Sequence, residues 1–215
     1  MAKVYGVRKG RETGVFETWD KCLKATKRYP GAEYRSFKDE DEAQSWVDGN
    51  LEIELHRDIV APSTNDTVNV FAEGIFVDGQ ALIGVILQFS DKTYEYSAIC
   101  TDGDYLKSGA IYAKMSGMLA GVKLACDTDC KTVNVYTNYD GLLSWLSGVW
   151  VCKSTMTFLF KEGVKRTIKK SGKVVNIYKL NGTKDTTYKL ANKLAKGALN
   201  RDKRFSFKNV IQEEK

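Results

Sequence analysis

The sequence predicts an α/β protein made of two modules, a small ββαβα-like unit and a mixed five-stranded sheet flanked by helices. Three observations carry this. Short apolar runs of strand character recur at Val4–Val7, Val68–Ala72, Ala81–Phe89 and Lys131–Thr137. Residues 108–126 instead place Ala110, Ala113, Met115, Met118, Leu119, Val122 and Leu124 at helical spacing. Between the two sets, residues 49–67 hold charge, Pro62-Ser63-Thr64-Asn65 and little periodicity. The boundaries that follow are a module at 1–48, a linker at 49–67, a domain at 68–200 and a basic tail at 201–215. A chain of 215 residues suits one ordinary domain plus a small one.

In the first module Val4–Val7 is a strand. Gly10-Arg11-Glu12-Thr13-Gly14 is a glycine-bounded turn, and Val15-Phe16 resumes the strand. Thr18-Trp19-Asp20 opens a helix running to about Arg28, where Tyr29-Pro30-Gly31 stops it. Tyr34–Phe37 is a third strand. The acids of Asp39-Glu40-Asp41-Glu42 suit a helix N-terminus, with Ala43, Trp46 and Val47 on its apolar stripe. Leu51–Val60 could extend that helix.

In the second domain an Asp78-Gly79 hairpin turn joins the first strand to its return at Ala81–Phe89, and Thr93–Cys100 is a third strand. The small and apolar residues of 108–126 form a packed helix, followed by a buried strand at Lys131–Thr137. Helices then fall at Gly141–Leu146 and Thr157–Lys169, a strand at Val174–Leu180 and a last helix at Thr187–Leu199.

Composition narrows the function classes. Hydrophobic residues at 43% and charged ones at 28% describe a soluble globular chain rather than a disordered one. The longest apolar runs, such as Ile83–Leu87, fall far short of the roughly 20 residues a membrane span needs. Met1-Ala2-Lys3-Val4-Tyr5 enters a strand with no apolar leader, so the expected location is intracellular, cytoplasmic or organellar, and not secreted. Cys22, Cys100, Cys126, Cys130 and Cys152 form no C-x-x-C pair and His56 is the single histidine, so free thiols are expected and zinc is not.

Net charge is +6 and unevenly spread. Residues 49–140 carry 6 basic and 13 acidic side chains, whereas 141–215 carry 17 and 5. A strongly basic C-terminal third fits a polyanion partner, or else a solvated basic face.

The first module carries a specific pattern. Tyr5-Gly6-Val7-Arg8-Lys9-Gly10-Arg11, Gly14-Val15-Phe16, Thr18-Trp19, Tyr29-Pro30-Gly31-Ala32, Tyr34-Arg35-Ser36-Phe37 and Glu42-Ala43 resemble the hybrid-binding domain of eukaryotic-type ribonuclease H1, a module shared with caulimovirus viroplasmin proteins. The chemistry is consistent, because exposed aromatics pack on sugars and bases while Arg and Lys neutralise phosphates. Such a module reads a duplex by shape and by its 2′-hydroxyls. The resemblance implies that Trp19 and Tyr34 contact the DNA strand, with Tyr5, Lys9, Arg35 and Ser36 at or beside the surface. Ser36 stands where a lysine is common. Phe16, Phe37 and Trp46 are read as packing residues, and Arg8 and Arg11 as flanking ones.

Residues 68–200 resemble ribonuclease H type 1. The resemblance rests on Val68-Asn69-Val70-Phe71-Ala72-Glu73-Gly74, Leu119–Ala125, Val133-Asn134-Val135-Tyr136-Thr137-Asn138-Tyr139-Asp140-Gly141, Trp145–Trp150 and Lys189–Ala195. Such an enzyme holds two magnesium ions with four carboxylates: an Asp on the first strand, a Glu on the first helix, an Asp ending the next long strand and an Asp on the last helix. Here those positions read Glu73, Lys114, Asn138 and Asn192. The loop histidine of the family would fall at Asn181 or Gly182. Asp78-Gly79 also looks like the family's Asp-Gly, and Asp140 lies two residues past Asn138, yet the helix Glu and last Asp stay absent either way.

The resemblance thus implies a pseudoenzyme with no catalytic residues and no retained metal site. The expectation is a non-catalytic binder of RNA/DNA hybrid or double-stranded RNA, a structural part of a ribonucleoprotein, with Lys114 pairing with Glu73 or contacting phosphate. Two readings stay open beside it: an altered nuclease using displaced acids such as Asp78, Asp140 and Asp185, and a protein-interaction scaffold of viroplasmin type.

Overall fold

The computed structural model describes residues 3–37, 40–47, 60, 63–180 and 185–212. They fall into two compact units, Met1–Glu52 and Ile53–Lys215. None of the described helices is long and apolar enough to cross a membrane.

The first unit runs β1 (Val4–Lys9), β2 (Gly14–Phe16), α1 (Trp19–Thr26), β3 (Glu33–Phe37) and α2 (Glu40–Val47). Its antiparallel sheet has the order β2-β1-β3. Thr18 caps α1 by accepting a hydrogen bond from the Lys21 amide, satisfying one of the amides a helix start leaves unpaired. Alternation along β1 sends Val7 into an apolar cluster with Cys22 and Ala25 of α1. The opposite face meets α2, where Arg8 donates twice to the Trp46 carbonyl (3.0 and 2.7 Å) and lies 4.2 Å from that ring's centre. Arg8 therefore ties the sheet to α2.

The second unit contains β4 (Thr67–Val77), β5 (Gln80–Gln88), β6 (Thr93–Cys100), a 3₁₀ turn (Gly103–Ser108), α3 (Gly109–Cys126), β7 (Thr132–Thr137), α4 (Asp140–Ser147), α5 (Thr155–Ser171), β8 (Val174–Lys179), α6 (Thr186–Lys196), a second 3₁₀ turn (Gly197–Asn200), β9 (Arg204–Phe205) and α7 (Phe207–Gln212). Strand order is β8-β7-β4-β5-β6-β9. β4, β5 and β6 form an antiparallel meander, while β7, β8 and β9 add in parallel. The Asp78-Gly79 turn is present, with both residues at positive φ (50° and 76°), as a two-residue hairpin linkage of this kind requires.

The expected five-stranded sheet has a sixth strand, and the residues assigned to a basic tail supply it. Ile99 and Cys100 of β6 pair with Arg204 and Phe205. The buried Asp102 carboxylate accepts from the Tyr112 hydroxyl, the Ser206 hydroxyl and the Phe207 amide (2.7, 2.8 and 2.6 Å). Phe205, Phe207 and Val210 are buried, so apolar contacts hold a segment whose charge reads as solvated.

Helices cover both faces of the sheet. Gly74 faces α3, where a Cβ would lie 1.9 Å from the Ala113 carbonyl oxygen. Gly84 faces α6, where a Cβ would lie 2.2 Å from the Ala191 carbonyl oxygen. Both helices therefore sit directly on the strands. Across the α6 face the parallel register builds two side-chain rows. In one, Asn176 donates to Asn134 and Asn134 to Asn69 (3.0 and 3.1 Å). In the next, Phe71, Tyr136 and Tyr178 stack with centroids 4.9 and 5.1 Å apart. Glu73 and Asn138 follow on the same face.

Candidate nucleic-acid interface

Antiparallel pairing in the first unit sets Tyr5 opposite Ser36 and Val7 opposite Tyr34, so Tyr5, Tyr34 and Ser36 share the face that α1 covers. Trp19, the first residue of α1, lies between the two tyrosines, with ring centroids 5.6 Å from Tyr5 and 5.7 Å from Tyr34. Trp19 and Tyr34 are 43% and 47% exposed. Three aromatic rings in contact, tilted 55° to one another at each step and two of them open to solvent, offer ring faces suited to sugars and bases.

Lys9 lies past a register shift in β1, with its ammonium beside Gly31. Arg35 pairs opposite Gly6, on the other face, where its guanidinium stands 5.6 Å from the Phe37 ring centre. The structure thus groups Tyr5, Trp19, Tyr34 and Ser36 and sets Arg35 apart from them. Phe37 is buried against Trp46, 5.7 Å between centroids, as packing residues.

In the second unit, four elements bring the sequence-derived positions to one end of the sheet. β4 supplies Glu73, α3 supplies Lys114, the end of β7 leads to Asn138, and α6 carries Tyr188 and Asn192. Lys114 Nζ lies 2.6 Å from Glu73 Oε1 and 3.4 Å from Asn138 Oδ1. Glu73 is only 4% exposed and also accepts the Gly74 amide at 2.9 Å. Asn138 Oδ1 accepts the Tyr188 hydroxyl at 2.9 Å. Burial, and then the nearby Glu73 charge, push the Tyr188 phenol well above its usual pKa, so it stays a neutral donor. Half-buried Asn192 sits one helical turn beyond Tyr188 and lines a groove of about 350 Å³ with Tyr188, Lys189, Lys193 and Lys196.

This donor set does not fit two magnesium ions. Holding two dications close together takes several converging carboxylates. Here Glu73 is the one carboxylate, and an ammonium already neutralises it. A dication placed among these groups would be repelled by Lys114. Among the described residues, no three Asp, Glu, His or Cys side chains come together. The displaced acids do not converge either: Asp140 pairs with Lys179 (2.5 Å), Asp185 caps α6 through the Tyr188 amide (2.8 Å), and Asp78 forms the hairpin turn. Asn181 and Gly182 lie outside the described residues.

Sequence reasoning missed Tyr188. Its position four residues before Asn192, on one face of α6, was the available signal.

Comparisons with known proteins match the two units separately. Residues 3–47 match the family model described as ribonuclease H1 N-terminal domain. Ribonuclease H1 of Homo sapiens is 49% identical over 43 residues, which is 20% of this chain and 15% of the human protein. The sequence match therefore spans well under a fifth of that relative. The larger part is matched by fold. The N-terminal RNase H domain of a Mycobacterium tuberculosis protein, solved fused to maltose-binding protein, gives a TM-score of 0.51 at 18% identity, over 61% of this chain and 98% of that one. LC11-RNase H1 in complex with an RNA/DNA hybrid gives 0.50 at 15% identity, over 61% and 99%. The chain is therefore similar to ribonuclease H1 by sequence in its first unit, and its second unit has the ribonuclease H fold.

Proposed function

We propose that this protein binds RNA/DNA hybrid and does not cut it. The observation that carries the reading is the Lys114–Glu73 contact of 2.6 Å, an ammonium set where a nuclease of this fold needs a carboxylate. Hybrid as the ligand is supported by the aromatic platform of Tyr5, Trp19 and Tyr34, and by the likeness of residues 3–47 to the ribonuclease H1 N-terminal domain. The solved LC11-RNase H1 complex supports a hybrid as a ligand of the second fold as well.

The mechanism is recognition without chemistry. Trp19 and Tyr34 pack on sugars of one strand, and Ser36 and Lys9 meet phosphates nearby. In the second unit Lys114 neutralises Glu73, so a strand can approach without a bound dication to screen a carboxylate. Tyr188 holds Asn138 in place. Joining two modest sites on one chain raises avidity without further contacts.

Fluorescence anisotropy with a labelled hybrid tests this. Saturable binding is expected in EDTA as well as in magnesium, and Trp19→Ala is expected to weaken it about tenfold, the value of one lost stacking contact at roughly 1–3 kcal/mol. Absence of saturable binding, or binding that requires magnesium, would overturn the reading.

A further inference from the structure

Helix α6 carries Lys189, Lys193 and Lys196 and, among its eleven residues, no acid. Their spacing of four and three places the ammonium groups along one side of the helix. All three are exposed, while Tyr188, Ala191, Leu194 and Ala195 are buried against the sheet. Like charges one turn apart repel by a few tenths of a kcal/mol, so the arrangement weakens an isolated helix.

Five other lysines of this unit lie against acids. Lys114, Lys123, Lys131, Lys179 and Lys208 each pair with a carboxylate at 2.5–3.2 Å. Among the described residues, Lys189, Lys193 and Lys196 have no such partner. The charge is left unneutralised along one ridge, next to the groove whose floor includes Asn192 and Tyr188. Asn192 offers an amide donor there and no negative charge. The ridge is also rigidly mounted, because Gly84 lets α6 sit against β5 with no side chain between.

We propose that Lys189, Lys193 and Lys196, with Asn192 beside them, form a second contact for the sugar–phosphate backbone of the hybrid. This rests on the reading of the protein as a hybrid binder. The three lysines span about 10 Å of helix at 1.5 Å per residue, the axial length of roughly three nucleotides of one strand. The contact is electrostatic, so it adds affinity without base preference and weakens steeply with salt.

The test uses the intact chain and a short labelled RNA/DNA hybrid titrated over a range of sodium chloride concentrations. The wild type is compared with the triple variant Lys189→Gln, Lys193→Gln, Lys196→Gln and with Trp19→Ala. The triple variant is expected to bind at least about tenfold more weakly near physiological salt. Its slope of log K against log salt should be shallower by about 2–3, close to one unit per lost phosphate contact. Because the three side chains are exposed and repel one another, its melting temperature should be no lower than that of the wild type. A second readout works on the unmodified protein: bound hybrid should shield these lysines, but not Lys131, from an acylating reagent. If the triple variant keeps the wild-type affinity and slope while Trp19→Ala binds poorly, the ridge is wrong and the module reading stands. If the lysines stay fully reactive in the complex, the ridge is likewise wrong. If the wild type binds no hybrid even at low salt, the functional reading itself falls, and the ridge with it.

Discussion

Lys114 and Glu73 hold each other in a poorly hydrated place, and each is costly to leave alone there. Lys114→Met strands a carboxylate that is 4% exposed. Because the lysine itself keeps some solvent, the loss is set at about 2–4 kcal/mol, in and just below the range for breaking a buried pair. Changing both residues, Lys114→Met with Glu73→Leu, should recover most of that in urea unfolding, since no uncompensated charge remains. No loss of stability in Lys114→Met alone would show that the pair is not coupled. At this scale the sequence was informative about the substitutions and about the Lys114–Glu73 pairing, and silent about Tyr188. Glu73, Lys114, Asn138 and Asn192 can be placed by motif, but the Tyr188 hydroxyl reaches Asn138 across 50 residues of chain. Only the fold brings those two together.

At the scale of elements, the strands that carry the site are legible because their apolar pattern is strong, and β6 has the predicted bounds, Thr93–Cys100. The asparagine and aromatic rows across β4, β7 and β8 fix register, since a one-residue slip would move every member to the other face. Asn134→Ala removes two hydrogen bonds from the row and should cost about 2–3 kcal/mol by denaturant unfolding. A cost near zero would mean that the row does not hold the register. The C-terminal strand and helix were illegible for a physical reason. Phe205 and Phe207 stand among Arg201, Lys203, Arg204 and Lys208, and a composition average hides two buried rings in a basic stretch. Phe207→Ala should therefore destabilise the whole unit by about 3–5 kcal/mol, as for a core aromatic; a dispensable tail would show no change in melting temperature.

For the whole molecule, charge and burial set how it responds to its surroundings. Tyr112 and Tyr188 are buried, and burial raises both phenols above the usual value of 10. The unfolded chain loses those protons first as pH rises. Burial pushes the Cys100 thiol up to about 12 as well, so stability should begin to fall near pH 9 and fall further above pH 10, a trend that melting temperatures across the alkaline range will display or refute. The basic C-terminal third was legible in the sequence, but its arrangement was not. Lys179 and Lys208 lie against carboxylates, Lys169 and Lys170 end α5, and Lys189, Lys193 and Lys196 line one side of α6. The central claim is that the molecule holds a hybrid whose RNA strand stays whole. The most direct measurement incubates excess protein with end-labelled hybrid in magnesium or manganese, confirms by gel shift that the hybrid is bound, and then resolves the RNA strand. The account predicts complete binding and full-length RNA. RNA fragments that appear with the wild type and vanish with Glu73→Gln or Asp140→Ala would contradict it.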